Sequence, residues 1–249
     1  MAVNEQWVMG IHAVTELLHQ YPDQIKKVLV LSGRTDSRLT TLMALVESVG
    51  LQIEQVDRKT LDKQVGGSHQ GVAALCSFQD NSHDEKFLWS LLDSMDHDPL
   101  ILVLDEITDP HNLGACLRTA DAAGVDAVVI TKNRSAPLNM TVRKVASGAA
   151  EAVTLVTVTN LSRTIKAMQE RGIWVVGTAG EAPKSIHSQD LTGPLALIVG
   201  SEGKGMRRLT REDCDFLVSI PMAGSLSSLN VSVATGVCLF EAMRQRLSL

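Results

Sequence analysis

A series of short apolar runs from residue 99 onward is the feature that most constrains the fold. Five strand-sized segments are apolar at nearly every position, at 100–105, 127–131, 153–158, 173–178 and 195–200. A strand that is apolar on both faces belongs to a sheet covered on both faces, which is typical of parallel sheets flanked by helices. Helical patterns separate several of the runs, and a long helix is predicted over 229–246. The sequence therefore predicts an α/β fold with a largely parallel sheet.

The first 78 residues carry a smaller α/β pattern of their own. A helical stripe begins at Ile11, and strands are predicted over 28–31, 51–56 and 71–78, with a helix between the first two. The following residues turn polar and acidic around a short helical patch, which is typical of a linker. A chain of 249 residues has room for two such domains. We therefore expect a small domain over 1–78, a linker over 79–98 and a larger domain over 99–249.

Several classes of protein are disfavoured by composition. Aromatic residues make up only 3% of the chain, which argues against a platform of exposed rings that stacks on bases. The four cysteines form no CxxC pair, so buried reduced thiols are expected and no structural metal site is. No apolar run is long enough to span a bilayer, and the first residues lack the pattern of a secretory signal. We expect a cytoplasmic protein without a membrane segment.

The charge pattern leaves two interpretations open. The formal net charge is −5, so no general basic coat for nucleic acid exists. Basic residues nevertheless cluster in the second domain, either as a local phosphate-binding surface or as scattered solvated charges. They are Arg118, Lys132, Arg134, Arg143 and Lys144, followed by Lys204, Arg207, Arg208 and Arg211.

Three predicted loops lie beyond carboxyl ends of strands, where open parallel sheets gather their ligands. The first leads from Asp105 into a helix that begins near Asn112 and contains Gly114 and Arg118 at a spacing of one turn. Glycine in a helix interior costs roughly 1 kcal/mol relative to alanine. Two reasons would justify it: room for the Arg118 head, lying over Gly114 near Asn112, or close packing against another helix.

The other two loops are rich in small residues. Residues 200–205 hold three glycines around Glu202, a candidate site carboxylate or simply a turn residue, and match neither a P-loop nor GxGxxG. Residues 220–230 contain Pro221 and four serines, of which Ser228 belongs to the site or only caps the next helix. That helix is apolar nearly all round, which indicates burial on more than one side, including against another subunit.

Together the three loops resemble one protein family. The pattern Asn112-x-Gly114-x-x-x-Arg118, then Gly200-x-Glu202-x-x-Gly205, then Ile220-Pro221-Met222 through Ser228-Leu229-Asn230 is similar to the SpoU/TrmH branch of the SPOUT RNA ribose methyltransferases. The resemblance extends over essentially the whole chain, including Gly10-Ile11-His12 and His69-Gln70-Gly71. One departure is Met9, where relatives usually carry an aromatic residue.

The resemblance implies a fold, a reaction and a set of site residues. It implies a C-terminal trefoil knot in the larger domain, a small L30e-like RNA-binding domain before it, and a homodimer. It also implies methyl transfer from S-adenosylmethionine to the ribose 2′-hydroxyl of a guanosine in 23S ribosomal RNA. The catalytic residues implied are Arg118, Asn112, Glu202, Ser228 and Asn230, and the cofactor would contact backbone at Gly200, Ile220 and Leu229.

Two questions about these residues stay open at the level of sequence. Arg118 would act either as the general base or by holding a phosphate and stabilising the developing alkoxide. The second role is suggested because guanidinium is effectively always protonated. Gly200 is expected to leave space for the cofactor, so Gly200→Val should abolish cofactor binding in a folded protein.

Two rival functions fit the sequence less well. An RNA-binding protein of the L30e type would account for the small domain but not for the three loops. Hydrolase chemistry lacks its GxSxG motif.

Overall fold

The computed structural model describes residues 3–34, 36–66, 69–79 and 82–247. Packing divides the chain into two units, residues 1–80 and 81–249. Each unit has its own sheet.

The elements of the first unit are β1 (Val3–Met9), α1 (Ile11–Gln20), β2 (Ile25–Leu31), α2 (Ser37–Ser48), β3 (Ile53–Val56), α3 (Arg58–Val65) and β4 (Val72–Gln79). The strands form a mixed sheet in the order β1-β4-β2-β3. Strand β4 lies antiparallel to both β1 and β2, whereas β2 and β3 are parallel. The helices α2 and α3 begin at aspartate caps, with Asp36 accepting from the Leu39 amide at 3.1 Å and Asp57 from the Thr60 amide at 2.7 Å.

The elements of the second unit are α4 (Glu85–Asp93), β5 (Leu100–Asp105), α5 (Pro110–Ala122), β6 (Ala127–Thr131), α6 (Met140–Ala146), α7 (Ala149–Ala152), β7 (Leu155–Val158), α8 (Leu161–Gln169), β8 (Trp174–Thr178), β9 (Leu195–Gly200), α9 (Arg208–Glu212), β10 (Phe216–Val218) and α10 (Val231–Leu247). The strands form a sheet in the order β10-β8-β9-β5-β6-β7, and every pairing in it is parallel. The predicted α/β fold with a largely parallel sheet is confirmed.

The central strand β5 explains why the apolar runs are continuous. Leu102 and Leu104 point into a core shared with α5 and α10, while Ile101 and Val103 point into a second core that includes residues of α4 and α8. Successive side chains of a strand alternate between faces, so two buried faces require apolar residues at every position. The loop that follows β5 consequently starts from a strand that is buried on both faces.

The structure differs from the expected linker over residues 82–98, which pack within the second unit. Asp84 caps α4 by accepting from the Phe87 amide at 3.0 Å, and Leu88 is fully buried. Glu85 accepts a hydrogen bond from the Thr164 hydroxyl at 2.8 Å, which attaches α4 to α8. The polar residues that suggested a linker are therefore the capping residue and the outward-facing residues of α4, which packs against the rest of the second unit. Residues 80 and 81 of the expected linker lie outside the described residues.

Candidate active site

A cavity of about 330 Å³ lies in the second unit at the carboxyl ends of β8, β9 and β10. Its walls come from residues 178–181 at the end of β8, residues 199–206 around the end of β9, Arg211 of α9, and parts of 218–234 from the end of β10 into the first turn of α10. In a parallel sheet these strand ends lie at one edge, so loops distant in sequence meet there. The lining includes five of the residues predicted for the site: Gly200, Glu202, Ile220, Ser228 and Leu229.

Three of the predicted catalytic residues form a hydrogen-bonded cluster. The Asn112 amide nitrogen donates to Glu202 Oε2 at 3.2 Å, and the Asn230 amide nitrogen donates to Glu202 Oε1 at 2.7 Å. The same Asn230 nitrogen lies 3.1 Å from Asn112 Oδ1. Both oxygens of the Glu202 carboxylate are thus held by amide donors. The site carboxylate is consequently fixed in direction although Glu202 is exposed.

Each member of this cluster is oriented by the element that carries it. Asn112 is only 8% exposed and lies in the first turn of α5. Asn230 precedes α10, and its Oδ1 accepts from the Ser232 amide at 2.9 Å and hydroxyl at 2.6 Å. Asn230, and not Ser228, therefore serves as the N-terminal cap of α10. Ser228 is exposed and free of that role, lining the cavity instead.

The loop that carries Glu202 is anchored by a buried carboxylate that the sequence interpretation missed. Asp105, at the end of β5, is 0% exposed and accepts hydrogen bonds from the Arg207 backbone amide at 2.9 Å and from Arg207 Nε at 2.7 Å. Within the loop, Ser201 and Gly205 exchange backbone hydrogen bonds of 3.1 and 2.8 Å. An aspartate directly after an all-apolar strand was the available signal for such an anchor.

Gly200 is required by the loop itself, which alters the expectation for its substitution. A Cβ at this position would lie 2.0 Å from the Met206 nitrogen and 2.1 Å from the Gly205 carbonyl carbon. A valine would therefore displace residues 201–206, the loop that holds Glu202. The expected outcome for Gly200→Val, loss of binding in an otherwise undisturbed fold, does not fit this packing.

Gly114 and Arg118 do not form the predicted pair. A Cβ at Gly114 would lie 2.7 Å from the Val142 carbonyl oxygen and 2.8 Å from the Val145 Cβ, so the glycine permits close packing of α5 on α6. The placement of the Arg118 head over Gly114 near Asn112 is wrong. Arg118 is exposed, and its Nη1 lies 3.3 Å from the Ser147 hydroxyl, just beyond the end of α6. The structure therefore leaves Arg118 outside the Asn112–Glu202–Asn230 cluster.

Comparison with protein-family models gives two matches that together span most of the chain. Residues 99–240 match the SpoU rRNA Methylase family. Residues 7–82 match the model described as RNA 2′-O ribose methyltransferase substrate binding.

Curated relatives resemble the chain over nearly its full length. The 23S rRNA (guanosine-2′-O-)-methyltransferase RlmB of Pseudomonas putida is 59% identical over 239 residues, covering 96% of each chain. The protein of the same name from Escherichia coli K12 is 55% identical over 242 residues, covering 97% of this chain and 99% of that one.

Solved structures show the same similarity in three dimensions. The SpoU methyltransferase AviRb from Streptomyces viridochromogenes, in complex with AdoMet, superposes with a TM-score of 0.64 at 25% identity, covering 98% of this chain and 92% of that one. A crystal structure titled RNA 2′-O ribose methyltransferase gives a TM-score of 0.62 at 27% identity, covering 98% and 89%.

Proposed function

The chain belongs to the SpoU rRNA methylase family, and from that premise we propose that it transfers a methyl group from S-adenosylmethionine to the ribose 2′-hydroxyl of a guanosine in 23S ribosomal RNA. The observation that carries the proposal is the cavity at the strand ends, with the Asn112–Glu202–Asn230 cluster attached to it. Curated relatives at 59% and 55% identity, which carry that activity in their names, support the choice of substrate.

The cavity fits S-adenosylmethionine in both chemistry and size. Its volume of about 330 Å³ lies within the range of small-ligand sites. Val199, Ile220 and Leu229 offer apolar surface for an adenine ring, and Gly200 lines the same cavity. The Glu202 carboxylate faces the same cavity and complements a sulfonium cation. We propose Gly200, Ile220 and Leu229 as the backbone contacts of the cofactor.

The reaction demands that a weak nucleophile be positioned and deprotonated. When bound, S-adenosylmethionine supplies an electrophilic methyl group. A ribose hydroxyl is a poor nucleophile at neutral pH. As its oxygen bonds to the methyl carbon, the methyl–sulfur bond breaks and releases S-adenosylhomocysteine, and the hydroxyl proton passes to water or another base at the site. We assign Glu202 and its two asparagines to orienting the ribose, because both carboxylate oxygens are already fixed by amide donors. Ser228, exposed on the cavity wall, is assigned to a hydrogen bond with the incoming nucleotide.

We assign Arg118 to holding a phosphate beside the target ribose and stabilising the developing alkoxide, since guanidinium remains protonated. Within one protomer Arg118 lies on α5 six residues from Asn112, which is about 9 Å along the helix axis. We propose that a homodimer brings Arg118 to the cavity of the partner. Support comes from the exposed apolar side chains of α10, Val233 at 52% and Phe240 at 43%, which a second copy would cover.

Three finer features complete the proposal. We propose a trefoil knot in the second unit, supported by the position of β9 between β5 and β8 and by the return of the chain after β10 to pack α10 against α5 and β9.

We propose that the small domain has an L30e-like fold and binds RNA, as its family match suggests. Ribosomal RNA as substrate favours a cytoplasmic location, and no described helix is long and apolar enough to cross a membrane.

Calorimetry with S-adenosylmethionine tests the cofactor site directly. Leu229→Ala removes apolar surface from the cavity wall and should weaken binding about tenfold, the equivalent of 1.4 kcal/mol. Leu226→Ala is the matched control, because Leu226 lies on the same loop, is 72% exposed and does not line the cavity. Equal affinities for the two variants, or no binding by the unaltered protein, would contradict the placement.

A further inference from the structure

The first unit contains a basic groove that the methyl-transfer chemistry does not use. It has a volume of about 760 Å³ and lies between the start of α1, the start of α2 and the turn before β4. We call it the Arg38 groove, and its lining residues are Ile11, His12, Thr15, Arg34, Arg38, Thr41 and Gln70. Two of the sequence motifs noted above, Gly10-Ile11-His12 and His69-Gln70-Gly71, meet at this groove.

The turn that carries Gln70 is fixed by hydrogen bonds of the residues around it. His69 is 7% exposed; its Nδ1 accepts from the Gly71 amide at 2.9 Å, and its Nε2 lies 2.8 Å from Asp62 Oδ1. Because Nδ1 is an acceptor, Nε2 carries the proton and donates to Asp62. Arg34 adds a hydrogen bond to the Gln70 carbonyl oxygen. These contacts fix a turn in which Gln70 has a φ of 47°, a conformation that costs free energy for any residue but glycine.

The fixed turn presents the Gln70 side chain to the groove at a defined place. A Cβ on Gly10 would lie 3.3 Å from Gln70 Oε1, so the glycine leaves room for the amide above the start of α1. Gln70 is exposed. A carboxamide offers both a donor and an acceptor, the combination that reads the edge of a nucleobase.

The charges that line the groove favour an anion. None of the described residues that line the groove is acidic. Arg34 is neutralised in part by Asp36, whereas Arg38 is exposed and makes no ion pair with a residue of the described ranges. The α1 helix has Gly10 at its N-cap with no side-chain hydrogen bond, so the amide groups of its first turn remain available as donors. A guanidinium, an imidazole and free helix amides thus border one space.

We infer that the Arg38 groove binds a phosphodiester of the RNA substrate, with Arg38 on the phosphate and the Gln70 amide on the edge of the adjacent base. The inference rests on the proposed function, because it supplies the contact by which a methyltransferase with a single ribose pocket would select its RNA. A groove of about 760 Å³ exceeds the needs of one free phosphate and suits a nucleotide with its neighbours. Phosphate contacts position a nucleic acid, and a contact to a base edge adds sequence information.

Filter binding of the full chain to an unmodified 23S rRNA transcript, over a range of salt concentrations, tests the two roles separately. Arg38→Ala should weaken binding about tenfold and reduce the slope of log K against log salt by about 0.7–0.9, as expected for one lost phosphate contact. Arg38→Gln, which keeps the aliphatic stem, should give the same result. Gln70→Gly relieves the positive φ and should weaken binding several-fold with the salt slope unchanged.

Lys26→Ala is the control for a general loss of charge. Lys26 lies at the start of β2, whereas the groove is beyond the end of that strand, and it pairs with Glu5 at 2.7 Å. RNA affinity should stay within twofold, and all variants should bind S-adenosylmethionine normally because that cavity belongs to the second unit.

The outcomes separate this inference from the proposed function. If the Arg38 and Gln70 variants bind the transcript as tightly as the unaltered protein, the proposed RNA-binding role of the groove is refuted, even when the protein methylates 23S rRNA. If the unaltered protein fails to methylate the transcript, the proposed function is refuted, while the binding measurements still test the proposed RNA-binding role of the groove. Weakening by Lys26→Ala equal to that by Arg38→Ala also overturns it, because the effect would then be unspecific electrostatics.

Discussion

At the scale of single residues, the proposed site is built around the carboxylate of Glu202, whose direction is set by two amides. Glu202→Gln keeps the shape of the side chain but removes its charge and places an NH₂ group opposite the Asn112 or Asn230 donor. We expect methyl transfer to 23S rRNA to slow about 100- to 1000-fold, or roughly 3–4 kcal/mol of transition-state stabilisation. Glu212→Gln changes an exposed residue of α9 that pairs with Arg208 and does not line the cavity, so this variant should retain full activity. If the Glu202→Gln protein keeps more than a tenth of normal turnover, Glu202 does not have the role assigned to it in the reaction.

A second prediction at this scale compares two helical glycines. Gly114→Ala forces a Cβ to within 2.7 Å of the Val142 carbonyl oxygen, whereas the Cβ of Gly236→Ala would meet Thr119 Cγ2 at an ordinary 3.7 Å. We expect the first to lower the free energy of unfolding by about 1–3 kcal/mol and the second to raise it by up to about 1 kcal/mol. Urea denaturation measures both. Similar stabilities for the two variants would contradict the packing of α5 on α6.

The same residues show what single-residue reasoning from sequence achieves. Asn112, Glu202 and Asn230 were predicted together because a family motif specifies them, and the structure joins them by hydrogen bonds. Arg118 belongs to the same motif, but its position over Gly114 was inferred from helix periodicity, which tells which residues share a face but not what packs against that face. The close approach of α6 to Gly114 decides the question, and it is a tertiary contact with no local signal.

At the scale of elements, the C-terminal helix α10 carries a buried carboxylate, Glu241, which is held mainly by side chains of the same helix. Hydrogen bonds from Arg244 above all, and then from Gln245 and His187, lower the pKa of Glu241 to about 2. A carboxyl group with a lowered pKa stabilises the folded state above its unfolded value of about 4.3, and this stabilisation is lost as the pH falls toward the folded value.

The comparison of the protein with Glu241→Gln tests that stabilisation. At pH 7 the variant should be less stable by about 1–2 kcal/mol, because hydrogen bonds to charged groups are worth about 1.5–3 kcal/mol and solvent screens part of the charge interaction. The difference should shrink as the pH falls from about 5 toward 2, because the native glutamate then becomes neutral as well. Thermal or urea unfolding across this pH range measures it. A difference independent of pH would mean that Glu241 acts only through its shape.

Elements were predictable from sequence where burial on two faces enforces an apolar run. The strands at 100–105, 127–131 and 195–200 coincide with β5, β6 and β9. The strands β1 and β10 were not predicted, since β1 contains polar residues at 4–6 and β10 has only three residues. Helix α4 was read as part of a linker because its capping and exposed residues outweigh the buried Leu88 in composition.

At the scale of the whole molecule, the proposed homodimer makes a specific demand on Arg118. If each site combines Arg118 of one protomer with the cavity of its partner, a mixed dimer of Arg118→Ala and Asn230→Ala protomers contains one complete site and one site lacking both residues. Coexpression with two different tags and tandem purification isolates that mixed dimer. We expect about half of the normal turnover, while both parent dimers are nearly inactive. A mixed dimer as inactive as its parents would mean that both residues serve the same protomer's site.

The central claim is ribose methylation of a guanosine, and the nucleoside formed tests it most directly. The purified protein is incubated with methyl-labelled S-adenosylmethionine and an unmodified 23S rRNA transcript, which is then digested and examined by mass spectrometry. We predict close to one methyl group per transcript, recovered as 2′-O-methylguanosine from one position, and almost none with Glu202→Gln. Label on a base, on another nucleoside or at many positions, or no transfer at all, would contradict the claim.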